Sequence, residues 1–459
     1  MKSLFGTDGF RGEFTEKSGS ALLNTETLYG LSQALIQYAN TYKILVVGRD
    51  TRPSSNVLAE AVIKAGVDAG VEVWDLGVMP TPATFKVAQH FKTLAIMITA
   101  SHNPHTDNGW KAAIAGDKLT NEEAGQVSDL YYENLDRDQE EVSVGQIIDK
   151  SELSNWYITQ VISSIESEFS KQPLAGKILV IDGANGATMN YTPEILEALG
   201  AEIHRFACDG SGKINENCGA ANLEGIKGFL KERPEIVANP NFLGAIANDG
   251  DGDRMMGIGA RTDLAPEWAE ITGNHVLYAL AQGQKGIVGT LYTNSGLVES
   301  LKDQDIGFDQ CKNGDTAVTA GLVARQTKGD NWTRGGEFTG HHVDTDWLSS
   351  GDGVRMAGWF ASYVARAGKN FADVYNELPL WPETKTAVRI DPNAPKIEEN
   401  DQIKQEIESI KAELGDQGRI VVRTSGTEPV VRIWGEAKPA SANIKNIVTD
   451  LSKFIQANS

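Results

Sequence analysis

The sequence predicts an α/β protein with three tandem, similar α/β domains and a smaller C-terminal α+β domain. The chain has 459 residues, which is enough for three or four domains that each bury a core. A unit of strand, helix, glycine and strand occurs three times along it. The last ninety or so residues show a different order of strands and helices. These observations together favour several α/β domains over one large fold.

The first copy of the unit follows a helix that Asn24 or Thr25 can cap. Its first strand is predicted at Lys43–Val47. The helix that follows places five residues on one apolar face, namely Val57, Leu58, Ala61, Val62 and Ala65. Gly70 ends this helix, and the second strand is predicted at Val71–Trp74.

The second and third copies repeat this order at much larger separations than those of solenoid repeats. The second copy is predicted as strand, helix and strand at Lys177–Ile181, Pro193–Leu199 and Ala201–His204. The third is predicted at Gly286–Leu291, from Asn294 or Ser295 onward, and at Gly307–Gln310. We expect domains at residues 1–150, 151–254, 255–368 and 369–459, with the charged stretch Asp136–Glu141 near the first boundary.

The C-terminal segment is predicted to alternate helices and strands. A charged helix around Ile403–Leu414 precedes strands at Arg419–Val422 and Val430–Trp434. The final helix has apolar residues on one face, namely Ile444, Ile447, Val448, Leu451, Phe454 and Ile455. This order predicts a small α+β domain.

Charge and composition exclude several classes of protein. The formal net charge of −20 argues against a nucleic-acid partner and against an anionic membrane surface. The three cysteines are scattered and form no CxxC pair, so we expect reduced thiols. The sequence contains no run of about 18 apolar residues. A soluble, cytoplasmic protein is therefore expected.

The loop after the apolar run Leu94–Ile98 carries a candidate nucleophile. The run predicts a short buried strand, and Asn103-Pro104 biases the following chain away from a helix. Ser101 and His102 would then lie at the carboxyl end of a strand, where open α/β sheets bind ligands. Lys111 can return to the same pocket and neutralise charge or act as an acid or base. From this loop alone, the alternative is a plain turn capped by Ser101.

A second loop carries three carboxylates spaced by two residues, Asp249, Asp251 and Asp253. An extended backbone would place all three on one face, and the glycines between them would let the chain wrap an ion. Closely packed like charges favour a bound cation, and oxygen ligands fit Mg²⁺. The spacing does not fit an EF-hand, while a solvated acidic turn is the alternative.

Two further loops suit a phosphorylated sugar. Glu337, Thr339 and His341 offer donors and acceptors for hydroxyl groups, and no zinc-motif spacing surrounds the adjacent histidines. The loop from Arg423 to Pro429 combines hydroxyls, a glycine turn and a flanking arginine, which predicts an anion site. A decorated hairpin turn is the alternative for this loop.

Five motifs, in order, resemble the α-D-phosphohexomutase superfamily: FGTDGFRG, TASHNP, DGDGDR, GEFTGHH and RTSGTEP. Within it, three stretches are most similar to bacterial phosphoglucosamine mutases, namely Ile181–Thr188, Gly212–Gly219 and Gly289–Gly296. The resemblance covers essentially the whole chain. It implies four domains around a central cleft and a phosphoserine enzyme that uses Mg²⁺ and a hexose bisphosphate activator.

The resemblance also implies roles for individual residues. Those with a catalytic role are Ser101 as the phosphorylated residue, His102, Lys111, Arg11 and His341. The expected metal ligands are the phosphate on Ser101 together with Asp249, Asp251 and Asp253. The expected substrate-binding residues are Arg254, Glu337, Thr339, Arg423, Ser425, Gly426 and Thr427, to which we add Arg432.

The reaction that the resemblance implies moves a phosphoryl group between the 6- and 1-positions of a hexose phosphate through a phosphoserine and a hexose bisphosphate intermediate. We expect it to convert glucosamine 6-phosphate to glucosamine 1-phosphate. A phosphomannomutase or phosphoglucomutase is the alternative. Three residues depart from the amino-sugar branch, namely Ala112, Ala113 and Asn274 of the pair Gly273-Asn274. Thr339 stands where the family more often has Ser, and Phe10 where Ile is common. Release of the bisphosphate as product, a phosphatase and a non-catalytic binding protein are further alternatives. A homodimer is compatible with the resemblance.

Overall fold

The computed structural model describes residues 4–6, 8–19, 21–135, 144–260, 268–391, 397–424 and 429–458. The chain divides into two compact units. The first consists of Met1–Tyr292 and Asp305–Glu377, and the second of Thr293–Gln304 and Leu378–Ser459. Three sheets lie in the first unit and one lies in the second. The predicted multidomain α/β class is confirmed.

The first sheet has seven strands in the order β1-β5-β4-β2-β3-β7, with β6 paired to β5. Its strands are β1 (Phe10–Glu13), β2 (Ile44–Arg49), β3 (Glu72–Val78), β4 (Leu94–Ile98), β5 (Asp107–Ile114), β6 (Asp117–Lys118) and β7 (Ile147–Asp149). The accompanying helices are α1 (Thr25–Tyr38), α2 (Ser55–Asp68), α3 (Thr81–Phe91) and α4 (Asn121–Asn134). Strands β3, β2 and β4 are parallel, while β5 runs antiparallel to β4 and β1.

Helices α1 and α2 form as the apolar spacing predicts. Asn24 caps α1, since its side chain accepts a hydrogen bond from the Thr27 amide at 2.8 Å. On α2, Leu58 and Val62 are buried in the core below the sheet. The prediction that Val57 shares this face is wrong, because Val57 is 42% exposed.

The second sheet has the order β12-β11-β10-β8-β9. Its strands are β8 (Ile178–Asp182), β9 (Glu202–Phe206), β10 (Phe242–Asn248), β11 (Met255–Ala260) and β12 (Trp268–Ile271). The helices in this part of the chain are α5 (Leu153–Glu168), α6 (Tyr191–Ala198), α7 (Glu224–Lys231) and α8 (Pro234–Val237). Strand β8 pairs in parallel with β9 and β10, as in the first copy of the unit.

The third sheet has the order β14-β13-β15-β16. Its strands are β13 (Gly286–Thr290), β14 (Gly307–Cys311), β15 (Arg334–Gly336) and β16 (His342–Asp344). The helices between and after them are α9 (Gly273–Ala281), α10 (Ser295–Lys302), α11 (Asp315–Thr327), α12 (Gly353–Arg366) and α13 (Phe371–Glu377). Helices α12 and α13 pack on the second sheet, and α10 belongs to the second unit.

The second unit contains an antiparallel sheet in the order β17-β19-β18. Its further elements are β17 (Glu383–Arg389), α14 (Asp401–Leu414), β18 (Gly418–Thr424), β19 (Val430–Ala437) and α15 (Ile444–Asn458). Ile444, Val448, Leu451 and Ile455 of α15 are buried, as their spacing predicts. The small C-terminal α+β fold is therefore confirmed. Among the described residues, no helix is long and apolar enough to span a membrane.

Candidate active site

Ser101 lies on an irregular loop that begins where β4 ends, as the sequence predicts. The Thr99 side chain accepts a hydrogen bond from the Ser101 amide at 2.9 Å, which turns the loop back over the strand end. Ser101 adopts a φ of 53°, a left-handed conformation that is uncommon for residues with a side chain. Its Oγ donates to Asp249 Oδ2 at 2.8 Å and is buried. The candidate nucleophile therefore points directly at the acidic loop.

The acidic loop between β10 and β11 gathers three buried carboxylates. Oxygens of Asp249, Asp251 and Asp253 lie within 4.8 Å of one another. The predicted extended backbone is wrong here, because the loop is a turn in which Gly252 has a φ of 78°. Gly250 passes so close to the Ser101 loop that an added Cβ would lie 2.8 Å from the Ser101 carbonyl oxygen. The two loops are thus packed backbone to backbone.

Lys111, on β5, provides the main positive charge of the site. Its Nζ lies 2.8 Å from each of three carboxylates, those of Asp251, Asp253 and Asp8. Burial alone would lower the pKa of this lysine, but the three carboxylates raise it well above its ordinary value. Lys111 is therefore held as a buried ammonium.

Asp249 is the carboxyl group of the cluster that accepts the Ser101 hydroxyl. Burial, followed by repulsion from Asp253 and Asp251, raises the pKa of Asp249 to about 7. Arg254 lowers this pKa in part, since its Nε lies 3.7 Å from Asp249 Oδ2. The cluster therefore retains capacity for further positive charge at Asp249.

His341 bridges two acidic groups from its position between β15 and β16. Its Nε2 lies 2.8 Å from Asp253 Oδ1, and its Nδ1 lies 3.0 Å from Glu337 Oε2. Burial alone would lower the pKa of His341, but Asp253 and Glu337 raise it to about 10. Both ring nitrogens then donate, and His341 is an imidazolium at neutral pH.

His102 and Arg11 flank the Ser101 loop on its other side. The Nδ1 of His102 lies 3.4 Å from Ser101 Oγ, and Arg11 Nη1 donates to the Ala100 carbonyl oxygen at 3.3 Å. Burial, followed by repulsion from Arg254 and Arg11, lowers the pKa of His102 to about 3. At neutral pH His102 is therefore an uncharged imidazole.

Models of the phosphoglucomutase/phosphomannomutase domains match most of the chain. Domain I matches residues 2–137, domain III residues 271–380 and the C-terminal domain residues 386–453. A phosphoglucosamine mutase from Thermus thermophilus is 33% identical over 446 residues, covering 95% of this chain and 94% of the relative. One from Cronobacter sakazakii is 34% identical and covers 95% of each chain. The chain belongs to the phosphoglucomutase/phosphomannomutase family.

Solved structures share the fold across the whole length. A family protein from Burkholderia thailandensis superposes with a TM-score of 0.77 at 20% identity, covering 98% of this chain and 97% of that one. The N-acetylphosphoglucosamine mutase of Aspergillus fumigatus, in complex with GlcNAc-6P and magnesium, gives a TM-score of 0.60 at 16% identity, covering 99% and 96%. With the family established by sequence, the chain is an isomerase that interconverts the 6- and 1-phosphates of a hexose.

The structure of this phosphohexomutase brings together residues that sequence reasoning did not select. Asp8 bridges Lys111 and Lys118, and Lys118 Nζ lies 2.6 Å from Asp315 Oδ2 at the start of α11. Burial alone would lower the pKa of Lys118, but Asp315 and Asp8 raise it. Asp8 lies within the FGTDGFRG motif, which was the available signal, whereas Lys118 and Asp315 lie in no motif that we recognised.

The remaining predicted substrate-binding residues belong to both units of the chain. Thr339 is half-buried in the turn between β15 and β16. In the second unit, Arg423 on β18 is directly opposite Arg432 on β19, and both are exposed. Like charges directly opposite each other on neighbouring strands are unfavourable. Three predicted residues lie outside the described part of the chain: Ser425, Gly426 and Thr427.

Proposed function

We propose that this phosphohexomutase converts glucosamine 6-phosphate to glucosamine 1-phosphate through phosphorylated Ser101 and a hexose bisphosphate intermediate. The observation that carries the phosphoserine step is the position of the buried Ser101 Oγ, which lies 2.8 Å from Asp249 Oδ2. Asp249 belongs to the aspartate triad of the acidic loop, which consists of Asp249, Asp251 and Asp253. The curated relatives named as phosphoglucosamine mutases support the choice of sugar. Interconversion of mannose or glucose phosphates is the second candidate, because Ala112 and Ala113 depart from the amino-sugar branch and Thr339 stands where the family more often has Ser.

The triad fits a divalent cation. Asp251 Oδ1 is buried and has no hydrogen-bond partner within the described part of the chain, so one ligand atom is already available. Asp249, Asp251 and Asp253 would hold Mg²⁺ together with a phosphate oxygen on Ser101. Bound there, the ion would offset negative charge on the phosphoryl oxygens. A hexose bisphosphate would serve as the activator that first phosphorylates Ser101.

The residues around the triad hold protons at defined atoms. Lys111 and His341 are cations in this arrangement, so we assign them as proton donors and charge stabilisers. The hydroxyl of Ser101 donates to Asp249 Oδ2 at 2.8 Å, which holds Oγ beside the acidic loop. When Ser101 takes up phosphate, Lys111 or His341 would give a proton to the leaving sugar oxygen, and the proton that Ser101 loses would replace it. His102, neutral and 3.4 Å from Ser101 Oγ, would orient the phosphorylated side chain.

Substrate binding is proposed for two loops, the one that carries Glu337 and Thr339 and the one from Arg423 to Pro429. Glu337 and Thr339 would hydrogen-bond sugar hydroxyls, with Arg254 beside the transferring phosphate. The residues proposed to hold the other phosphate are Arg423, Ser425, Gly426, Thr427 and Arg432. The domain boundaries given above, a homodimer and a cytoplasmic location stay predictions.

Substitution of the nucleophile and a comparison of substrates test this function. We expect Ser101→Ala to fold normally, to lose turnover by several orders of magnitude and to show no added phosphate by intact-protein mass spectrometry. Wild-type turnover by Ser101→Ala would refute the phosphoserine mechanism. A panel of glucosamine 6-phosphate, glucose 1-phosphate and mannose 1-phosphate, each with Mg²⁺ and bisphosphate, then identifies the sugar. A tenfold or greater kcat/KM preference for the amino sugar, about 1.4 kcal/mol, supports the proposal.

A further inference from the structure

The backbone of the Ser101 loop is anchored by a buried arginine. Arg52 Nη2 donates to the carbonyl oxygens of Ser101 at 2.8 Å and Asn103 at 3.0 Å. Its Nη1 donates to the Asp107 carbonyl at 2.8 Å, and its Nε pairs with Asp50 at 2.9 Å. The side chains of Arg52 and Asp50 are fully buried. One guanidinium thus binds several carbonyl oxygens of the Ser101 loop.

A second donor reaches the same carbonyls from a distant part of the sequence. Asn215 Nδ2 lies 2.8 Å from the Ser101 oxygen and 3.1 Å from the Asn103 oxygen. Asn215 belongs to the stretch Gly212–Gly219, whose motif the proposed mechanism does not use. The backbone N–H of Asn215 donates to the Ala184 carbonyl oxygen at 3.0 Å, which fixes the stretch beside the second sheet. Asn215 therefore connects this sheet to the nucleophile loop.

We propose that Asn215 is a positioning residue for Ser101 and that, with Arg52, it forms a carbonyl clamp on the nucleophile loop. This inference rests on the proposed phosphoserine function. The clamp consists of the Arg52 guanidinium and the Asn215 amide, both of which donate to the oxygens of Ser101 and Asn103. Since C=O and N–H of a trans peptide point in opposite directions, fixing the Ser101 carbonyl also fixes the direction of the His102 amide.

The clamp is needed because phosphorylation adds negative charge to the Ser101 loop. A phosphate on Ser101 carries a charge of about −2 and would lie beside Asp249, which repels it. The left-handed φ of Ser101 is also uncommon and persists only if the surroundings hold it. Donors on the carbonyl side hold the loop against both effects. Misplacement of the reacting oxygen by about 1 Å can cost about a hundredfold in rate.

Asn215→Asp tests the clamp, because aspartate has the same shape but presents oxygens to the two carbonyls instead of an amide donor. Asn217→Asp is the matched control. Asn217 lies in the same stretch with a φ of 54°, close to the 60° of Asn215, but its side chain is exposed. Both substitutions therefore change the same charge on the same backbone conformation. Asn215→Gly, which accepts a positive φ without strain, removes the amide donor without adding charge.

The readouts are kcat, KM, the rate at which hexose bisphosphate phosphorylates Ser101, and the melting temperature. We expect Asn215→Asp to lower kcat and the phosphorylation rate by at least tenfold, with KM for the hexose phosphate changed less than twofold. Asn215→Gly should lower both rates in the same direction, while Asn217→Asp should match wild type. The rates are measured at a temperature at which each variant is folded.

Rates within twofold of wild type for Asn215→Gly and Asn215→Asp would overturn the inference. Equal losses in Asn215→Asp and Asn217→Asp would also overturn it, since the effect would then be general to the stretch. Ser101→Ala in the same series separates the two proposals. If Ser101→Ala is inactive while Asn215 variants are fully active, only the clamp fails; if Ser101→Ala turns over normally, the phosphoserine function itself fails.

Discussion

Lys111→Met removes the ammonium that the structure places among the triad while keeping a side chain of similar length. The lysine Nζ lies 2.8 Å from Asp251, Asp253 and Asp8, and the lysine is only 2% exposed. An ammonium and a Mg²⁺ ion bound by the same carboxylates would repel each other. The variant should therefore be less stable without metal and should bind Mg²⁺ more tightly than wild type.

The size of this effect follows from the burial of the groups. Removing one partner of a buried ion pair costs about 3–5 kcal/mol, because the remaining charge is left uncompensated. Mg²⁺ can offset that charge, and the stability that it restores must equal the gain in its binding free energy. Recovery of about 1.4 kcal/mol corresponds to a tenfold lower dissociation constant, and about 2.7 kcal/mol to a hundredfold lower one.

Urea unfolding in EDTA and in Mg²⁺ measures the stability that the ion restores. Calorimetric titration of Mg²⁺ measures the gain in its binding free energy. We expect Lys111→Met to lose about 3 kcal/mol or more in EDTA, to recover part of it in Mg²⁺, and to bind the ion at least tenfold more tightly. Lys171→Met is the control, since Lys171 is exposed. Unchanged or weaker Mg²⁺ binding by Lys111→Met would show that the ammonium does not compete with the metal for these carboxylates.

Two further predictions concern stability. Burial lowers the pKa of His275 from 6.5 to about 4, so the folded state excludes a proton that the unfolded chain binds. The resulting stability is present above pH 6.5 and is lost as pH falls toward 4, by up to about 3 kcal/mol. His275→Asn retains an acceptor for the Thr272 amide and should flatten this dependence in urea unfolding between pH 4 and 7; an unchanged slope contradicts it. Lys118→Met should cost about 3 kcal/mol by leaving Asp315, 3% exposed, without its ammonium. Adding Asp315→Asn should recover much of that loss, and simple additivity of the two changes would show that the pair is not coupled.

The sequence predicted the local structure best where apolar runs and turn residues agree. Leu94–Ile98 is a strand with the bounds predicted, because five apolar residues end at a segment in which Asn103-Pro104 disfavours a helix. The antiparallel strands of the C-terminal unit and the buried face of α15 also follow from their periodicity. Val57 shows the limit of this reasoning, since an apolar residue at the margin of a helix face can remain exposed.

The supporting groups of the site could not be found in the same way. Asp8, Arg52 and Asn215 act on residues that are far from them in the chain, and Asp and Asn are common in ordinary turns. Arg52, for example, lies 49 residues from Ser101, whose carbonyl it holds. Periodicity reports which face of an element is buried, but it carries no information on which distant loop lies against that face. Only the tertiary structure pairs these groups.

For the acidic loop, the sequence predicted the candidate ligand residues but not the backbone conformation that brings them together. Spacing by two suggested an extended strand, whereas the carboxylates converge from a turn. The two glycines serve different purposes in that turn. Gly252 has a φ of 78° and needs conformational freedom, while Gly250, which has no positive φ, needs the space that a side chain would take from the Ser101 carbonyl. Three aspartates in one short loop therefore predict a cation site by their chemistry, whereas their contact with the Ser101 loop needs a residue without a Cβ atom at position 250.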